Sequence, residues 1–98
     1  MTVNKTIENG KAVFALEGRL DTNTTPELEN ELKGVFDGLT ELIFDFAKLD
    51  YISSAGLRVL LAAQKEMNSR GTMKVKNVNE TISEVFEVTG FSDILTIE

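Results

Sequence analysis

Within the stretch ELIFDFAKL, residues 41 to 49, the run from Leu42 to Ala47 is apolar at successive positions and broken only by Asp45. A strand with one face in water alternates apolar and polar residues, whereas a strand covered on both faces reads as a nearly continuous apolar run. This segment therefore predicts a central strand of a sheet with covered faces. It restricts the chain to a sheet-and-helix architecture and leaves the flanking segments to supply the neighbours.

Those neighbours alternate in period. Val3, Lys5 and Ile7 suggest a first strand at an edge, and Asn9-Gly10 is the strongest short-range signal for a tight hairpin. KAVFALEG is then the return strand, paired antiparallel with the first. RLDTNTT is loop. Thr24 or Thr25 can cap a helix with Pro26 in its first turn, Glu27 and Glu29 suit its positive end, and Leu28, Leu32, Val35 and Phe36 make one helical face. After the central strand, Lys48, Leu49, Asp50 and Tyr51 are expected to form a connection. A second helix starts near Ser53 or Ser54, carries Leu57, Leu60, Leu61, Gln64 and Met67 on one stripe, and closes at Gly71 in a left-handed conformation. TMKVKNV is a strand, Asn79 caps a third helix bearing Ile82, Val85 and Phe86, Gly90 closes it, and ILTIE is a short final strand.

The predicted order is ββαβαβαβ: an α/β domain over residues 1–98, with a mixed β-sheet, an N-terminal antiparallel hairpin and helices packed on the sheet. Strand-helix-strand units imply parallel pairs with right-handed crossovers. Ninety-eight residues bury roughly two-thirds of their unfolded surface, enough for one core. MTVNKTIENG lacks the apolar core of a signal peptide, and the apolar runs are far short of a bilayer span, so a cytoplasmic protein is expected.

Composition removes several functions. There is no histidine and no cysteine, which excludes Ser-His-Asp catalysis and thiolate metal sites. The net charge of −6 disfavours nucleic acid and anionic membranes as partners. Asp21, Glu27, Glu29, Glu31 and Glu41 form no metal-ligand pattern. No metal, nucleotide or other cofactor is expected, since neither phosphate-cradling glycine motif is present.

Attention falls on Ser53 and Ser54, in LDYISSAGLRVLL. As nucleophiles they lack a base, and the pattern is not G-x-S-x-G. Spacing alone favours Ser53 as a helix cap, with Ala55 and Gly56 small because the helix start packs on the sheet. A phosphoacceptor is also open. A phosphate in the first helical turn meets free N–H groups and the positive dipole end, so the domain tolerates it while a docked partner does not. The loop GRLDTNTTP, with Asp21, leaves from the C-terminal end of a strand and lies on the same sheet edge if the two strands run parallel.

Three stretches together, EGRLDTNTTPELENEL, LIFDFAKLDYISSAGLRVLLAAQ and NVNETISEVFEVTGF, resemble the anti-sigma factor antagonists, the small branch of the STAS domains. The resemblance spans nearly the whole chain. It implies a binding protein, not an enzyme, that works by partner switching. Unphosphorylated antagonist binds an anti-sigma factor serine kinase and frees a sigma factor. Phosphorylation of one serine dissolves the complex, and a Ser/Thr phosphatase resets it. Aligned on Gly56, Ser54 takes the acceptor position, Ser53 stands where many relatives have aspartate, and Ala55 takes the place of a second Ser or Thr. Ser53 is the lesser candidate acceptor. The implied docking surface comprises Asp21, Thr22, Asn23, Ser53, Ser54, Ala55, Gly56 and Arg58. An alternative within the same resemblance is an unphosphorylated STAS subunit of a larger transport or signalling complex. Many relatives continue into a further helix where this chain stops at Glu98, which implies a sheet face with less cover.

Overall fold

The computed structural model describes residues 1–98. Strand β1 (Thr2–Glu8) and strand β2 (Lys11–Leu20) are followed by helix α1 (Thr25–Leu32) and strand β3 (Glu41–Ile52). Helix α2 (Ser54–Asn68), strand β4 (Thr72–Lys76), helix α3 (Glu80–Thr89) and a short 3₁₀ turn (Phe91–Asp93) complete the chain. The sheet order is β1-β2-β3-β4, antiparallel between β1 and β2 and parallel across the other two pairs. Asn9 and Gly10 both take positive φ, 50° and 80°, as a two-residue hairpin turn requires. β3 is central, as its composition predicts.

Its register carries an irregularity that sequence reading did not foresee. Phe46, Leu49 and Ile52 are all buried, yet they are spaced by three, and an unbroken strand would turn Leu49 outward. β3 resolves this with two shifts against β2, one between Ala15 and Glu17 and one between Gly18 and Arg19. At each shift β3 advances one residue more than β2, and the parity is reset. The expected connection over Lys48 to Tyr51 is therefore strand, continuous to Ile52.

All three helices pack on one face. A single core cluster joins Phe14, Leu16 and Leu20 of β2, Phe44, Phe46 and Ile52 of β3, and Val75 of β4 to Leu28, Leu60, Met67, Ile82 and Phe86 of the helices. Phe44 stands between Phe14 and Phe46, with ring centroids 5.8 and 6.3 Å away in tilted arrangements. The opposite face has no helical layer. Ile43, buried to 4% exposure, lies outside that cluster, in a cross-strand row with Val13 and Lys74. Cover on both faces, expected for β3, comes on this side from neighbouring side chains of the sheet itself.

Three further expectations change. α1 ends at Leu32, so Val35 and Phe36 reach the core through the loop after it, which turns at Gly34 with φ 74°. Gly71 is not left-handed. It is glycine because a Cβ there would overlap the Thr40 carbonyl, which accepts the Thr72 N–H at 3.0 Å. ILTIE forms no full strand: only a parallel bridge between Val75 and Ile97 remains, after the 3₁₀ turn. By contrast, Asn79 caps α3 through its side chain, 2.8 Å from the Ile82 N–H, and Gly90 closes the helix at φ 82°.

Candidate functional site

β2 and β3 run parallel, so the segments that follow them leave from one end of the sheet. Leu20 and Ile52 are register partners, and the ladder runs one step further: the Ser53 N–H donates to the Leu20 carbonyl at 2.9 Å. Directly beyond this tie lie the Asp21 loop on one side and the start of α2 on the other.

Asp21 organises its loop. Its carboxylate Oδ1 accepts the N–H groups of Asn23 at 2.9 Å and Thr24 at 3.0 Å. Its carbonyl accepts the Thr25 N–H at 2.8 Å and the Thr25 hydroxyl at 2.6 Å. The Thr24 N–H above all, with those of the loop and the Arg19 guanidinium 3.8 Å away, holds the Asp21 carboxyl below the usual carboxylate range. Neither threonine caps α1 with its side chain. Thr24 stands at the cap position but donates its hydroxyl to the Arg19 carbonyl at 2.7 Å. Thr22 and Asn23 project into solvent.

The two serines separate. Ser53 is extended (φ −99°, ψ 175°) and stands at the cap position of α2, yet its hydroxyl makes no cap bond. Its Oγ is buried and has no hydrogen-bond partner. The capping role expected of Ser53 is thus filled by position and not by its hydroxyl, which is buried and unbonded although the extended backbone is the ordinary conformation of a cap. Ser54, one residue on, is exposed. The first helical bond of α2 runs from the Leu57 N–H to the Ser53 carbonyl at 3.0 Å. The N–H groups of Ser54, Ala55 and Gly56 precede it, as at any helix start, and no acidic residue lies in this turn.

Gly56 is buried against the sheet end. A Cβ there would come within 2.8 Å of both Ile52 Cγ1 and Leu20 Cγ. It sets the approach of α2 and presents no side chain to a partner. Ala55 and Arg58 face the opposite way, into a groove of ≈ 640 Å³ between α1 and α2 that Thr22 also lines. The groove continues past Glu29, Phe36 and Glu66. Of the sequence-derived residues, Thr22, Ala55 and Arg58 meet in this groove. Ser54 and Asn23 are exposed close by in the chain, while Asp21, Ser53 and Gly56 support from within.

Sequence reading overlooked Arg19 and Tyr51. They are register partners, and the Arg19 guanidinium lies 4.4 Å from the Tyr51 ring centre. This cation–π contact flanks the Asp21 loop. The local signal was slight, since only the β3 register shift brings Tyr51 opposite Arg19.

The model of the STAS domain matches residues 2–98. The chain belongs to the STAS domain family. Among its relatives is BtrV of Bordetella bronchiseptica, provisionally named an anti-sigma factor antagonist. It is 34% identical over 91 residues, covering 91% of this chain and 78% of that protein. The anti-sigma-B factor antagonist of Listeria monocytogenes is 31% identical over 84 residues, covering 83% of this STAS chain and 73% of the relative. In three dimensions the fold is similar to the anti-sigma factor antagonist SpoIIAA in its unphosphorylated form, with TM-score 0.85 and 19% identity over 99% of this chain and 88% of that one. An anti-sigma factor antagonist from Mycobacterium paratuberculosis gives TM-score 0.88 at 22% identity, over 98% of this chain and 83% of the other. No helix of this STAS domain is long and apolar enough to cross a membrane.

Proposed function

We propose that this STAS domain is an anti-sigma factor antagonist of the phosphorylation-controlled kind, acting in the cytoplasm as a binding partner and not as an enzyme. Unphosphorylated, it docks an anti-sigma factor serine kinase over the surface made by Thr22, Asn23, Ser54, Ala55 and Arg58, which Asp21, Ser53 and Gly56 support from within. The kinase transfers the γ-phosphoryl group of ATP to Ser54. The Ser54 Oγ–P bond forms, the bond to the ADP oxygen breaks, and the hydroxyl proton leaves. The added charge, about −1.5 to −2 near neutral pH, expels the kinase from the surface it occupied. A Ser/Thr phosphatase hydrolyses the ester and restores binding.

The observation that carries this reading is the contrast between the two hydroxyls: Ser54 is exposed at the start of α2, while the Ser53 Oγ is buried. A kinase needs the acceptor oxygen in its own site, and only Ser54 offers one without opening the fold. Two kinds of relative support it. Those similar in sequence carry the name anti-sigma factor antagonist, and the fold is shared with SpoIIAA, a protein known in a phosphorylated form.

The test is incubation with ATP and the cognate kinase, followed by mass mapping, on the wild type, Ser53→Ala and Ser54→Ala. Phosphate is expected on wild type and Ser53→Ala and absent from Ser54→Ala. Unmodified wild-type protein, together with transporter subunits in a pull-down, would sink the proposal in favour of a static STAS subunit.

A further inference from the structure

The chain has three arginines, and two are engaged. Arg19 stacks on Tyr51 and pairs with Asp21. Arg70 pairs with Glu66 at 3.3 Å and donates to the Phe36 carbonyl at 3.1 Å. Arg58 is exposed and makes neither an ion pair nor a hydrogen bond, although Glu29 and Glu66 line the same groove. Of the three arginines it alone has a guanidinium free to take an incoming anion.

Its position in sequence is specific. Arg58 lies four residues after Ser54 on α2, and both side chains are exposed. Residues so spaced on a helix have Cβ atoms roughly 5–6 Å apart, and the N-terminal acid with C-terminal base is the favourable order for a charge pair. Arginine also presents a planar fork that matches phosphate oxygens in a bidentate pair.

Resting on the reading of Ser54 as phosphoacceptor, we propose that Arg58 is the residue that clasps the phosphate. In the unmodified protein its guanidinium is part of the docking surface. Once Ser54 carries phosphate, Arg58 closes onto it across one helical turn. Modification thus removes a cation from the surface at the moment it adds an anion, and the partner loses both a contact and a tolerable field. The other charged groups lining the groove that Arg58 enters are Glu29 and Lys33 on the α1 side and Glu66 two turns further along α2, while Asp21 and Arg19 pair beyond the β2 end. Of the two cations among them, Arg19 is already paired, and neither shares a helix turn with Ser54.

The experiment installs phosphoserine at position 54 during translation, so no kinase is required. The second ionisation of the phosphate is followed by ³¹P NMR in wild type, Arg58→Gln and Arg58→Lys. A surface pair of this kind lowers the phosphate pKa, and it is expected to lie roughly 0.2–0.4 pH unit lower in wild type than in Arg58→Gln. Arg58→Lys falls between, and high salt shrinks the difference. The same pKa in wild type and Arg58→Gln overturns the proposal. Because Arg58 is exposed, equal urea midpoints of the unmodified proteins are expected and exclude misfolding as the cause. Failure of the kinase assay would remove the phosphoacceptor reading and leave this titration unaffected, so the two are separable.

Discussion

The Ser53 N–H donates to the Leu20 carbonyl at 2.9 Å, and this bond joins the two halves of the candidate site. It is the last rung between β2 and β3. Past it both chains turn away, one into the Asp21 loop and one into α2. Whatever docks across Thr22 and Ala55 meets segments fixed to each other by this rung and by the packing of Gly56 beneath it.

Gly56 is the tightest element of that packing. Alanine in a helix is ordinarily favoured over glycine by about 1 kcal/mol. Here the new methyl would press on Ile52 Cγ1 and Leu20 Cγ, mid-chain atoms that cannot rotate aside. Gly56→Ala is expected to lose about 1–2 kcal/mol net and Gly56→Val about 3 kcal/mol. Urea unfolding with an unchanged m value checks this; a more stable Gly56→Ala protein contradicts it.

Ser53 and Asn79 occupy equivalent cap positions with opposite consequences. Asn79 Oδ1 accepts the Ile82 N–H and its amide donates to the Leu49 carbonyl at 3.0 Å. Asn79→Ala should cost about 1–2 kcal/mol. The Ser53 hydroxyl satisfies nothing and is itself unsatisfied. Ser53→Ala should stay within about 0.5 kcal/mol of wild type or gain stability. Paired thermal melts distinguish the two, and a large loss in Ser53→Ala would contradict the assigned geometry.

Gly71 needs no unusual dihedral, only the absence of a side chain. Gly71→Ala would force apart the chain at Thr40 and the start of β4, where the Thr72 N–H bonds the Thr40 carbonyl. A loss of about 2–3 kcal/mol is expected, with hydrogen exchange accelerated first at the Thr72 amide. Were Gly71 a left-handed cap, Asn at this position would be tolerated; here Gly71→Asn should be as damaging as Gly71→Ala.

Stability should fall in acid through two carboxylates. Asp21 is held below its ordinary value first by the Thr24 N–H, and Asp45 first by the Asn77 amide at 2.9 Å and then by the Ala47 N–H. With folded pKa values below the unfolded value near 3.9, each contribution is fully present above roughly pH 4 and fades as pH falls through the folded value. Asp21→Asn and Asp45→Asn should lower stability at neutral pH and flatten its decline below about pH 4. Urea midpoints across that range are the measurement, and an acid limb unchanged in both variants contradicts it.

Much of this was legible in the chain. Asn9-Gly10 announced the hairpin, the apolar run from Leu42 to Phe46 the central strand, Pro26 the start of α1, and Asn79 and Gly90 the two ends of α3. Each signal acts within a few residues, through a preferred dihedral, a missing N–H or a side chain that reaches its own backbone. The spacing that placed a helix start near Ser53 or Ser54 is of the same kind, and the helix begins at the second of them.

What spacing could not decide was which of the two serines is free. That depends on the direction in which β3 delivers Ser53, which depends on two register shifts against β2, which exist because Phe46, Leu49 and Ile52 must all reach one core. Gly71 likewise owes its identity to a carbonyl thirty-one residues earlier in the chain, and Asp21 its role to a loop closed by Arg19 and Thr25. Local preference set the order and kind of the elements. Burial and hydrogen bonding between distant segments decided which hydroxyl, which glycine and which arginine the surface presents, because those outcomes depend on contacts that no short window of sequence contains.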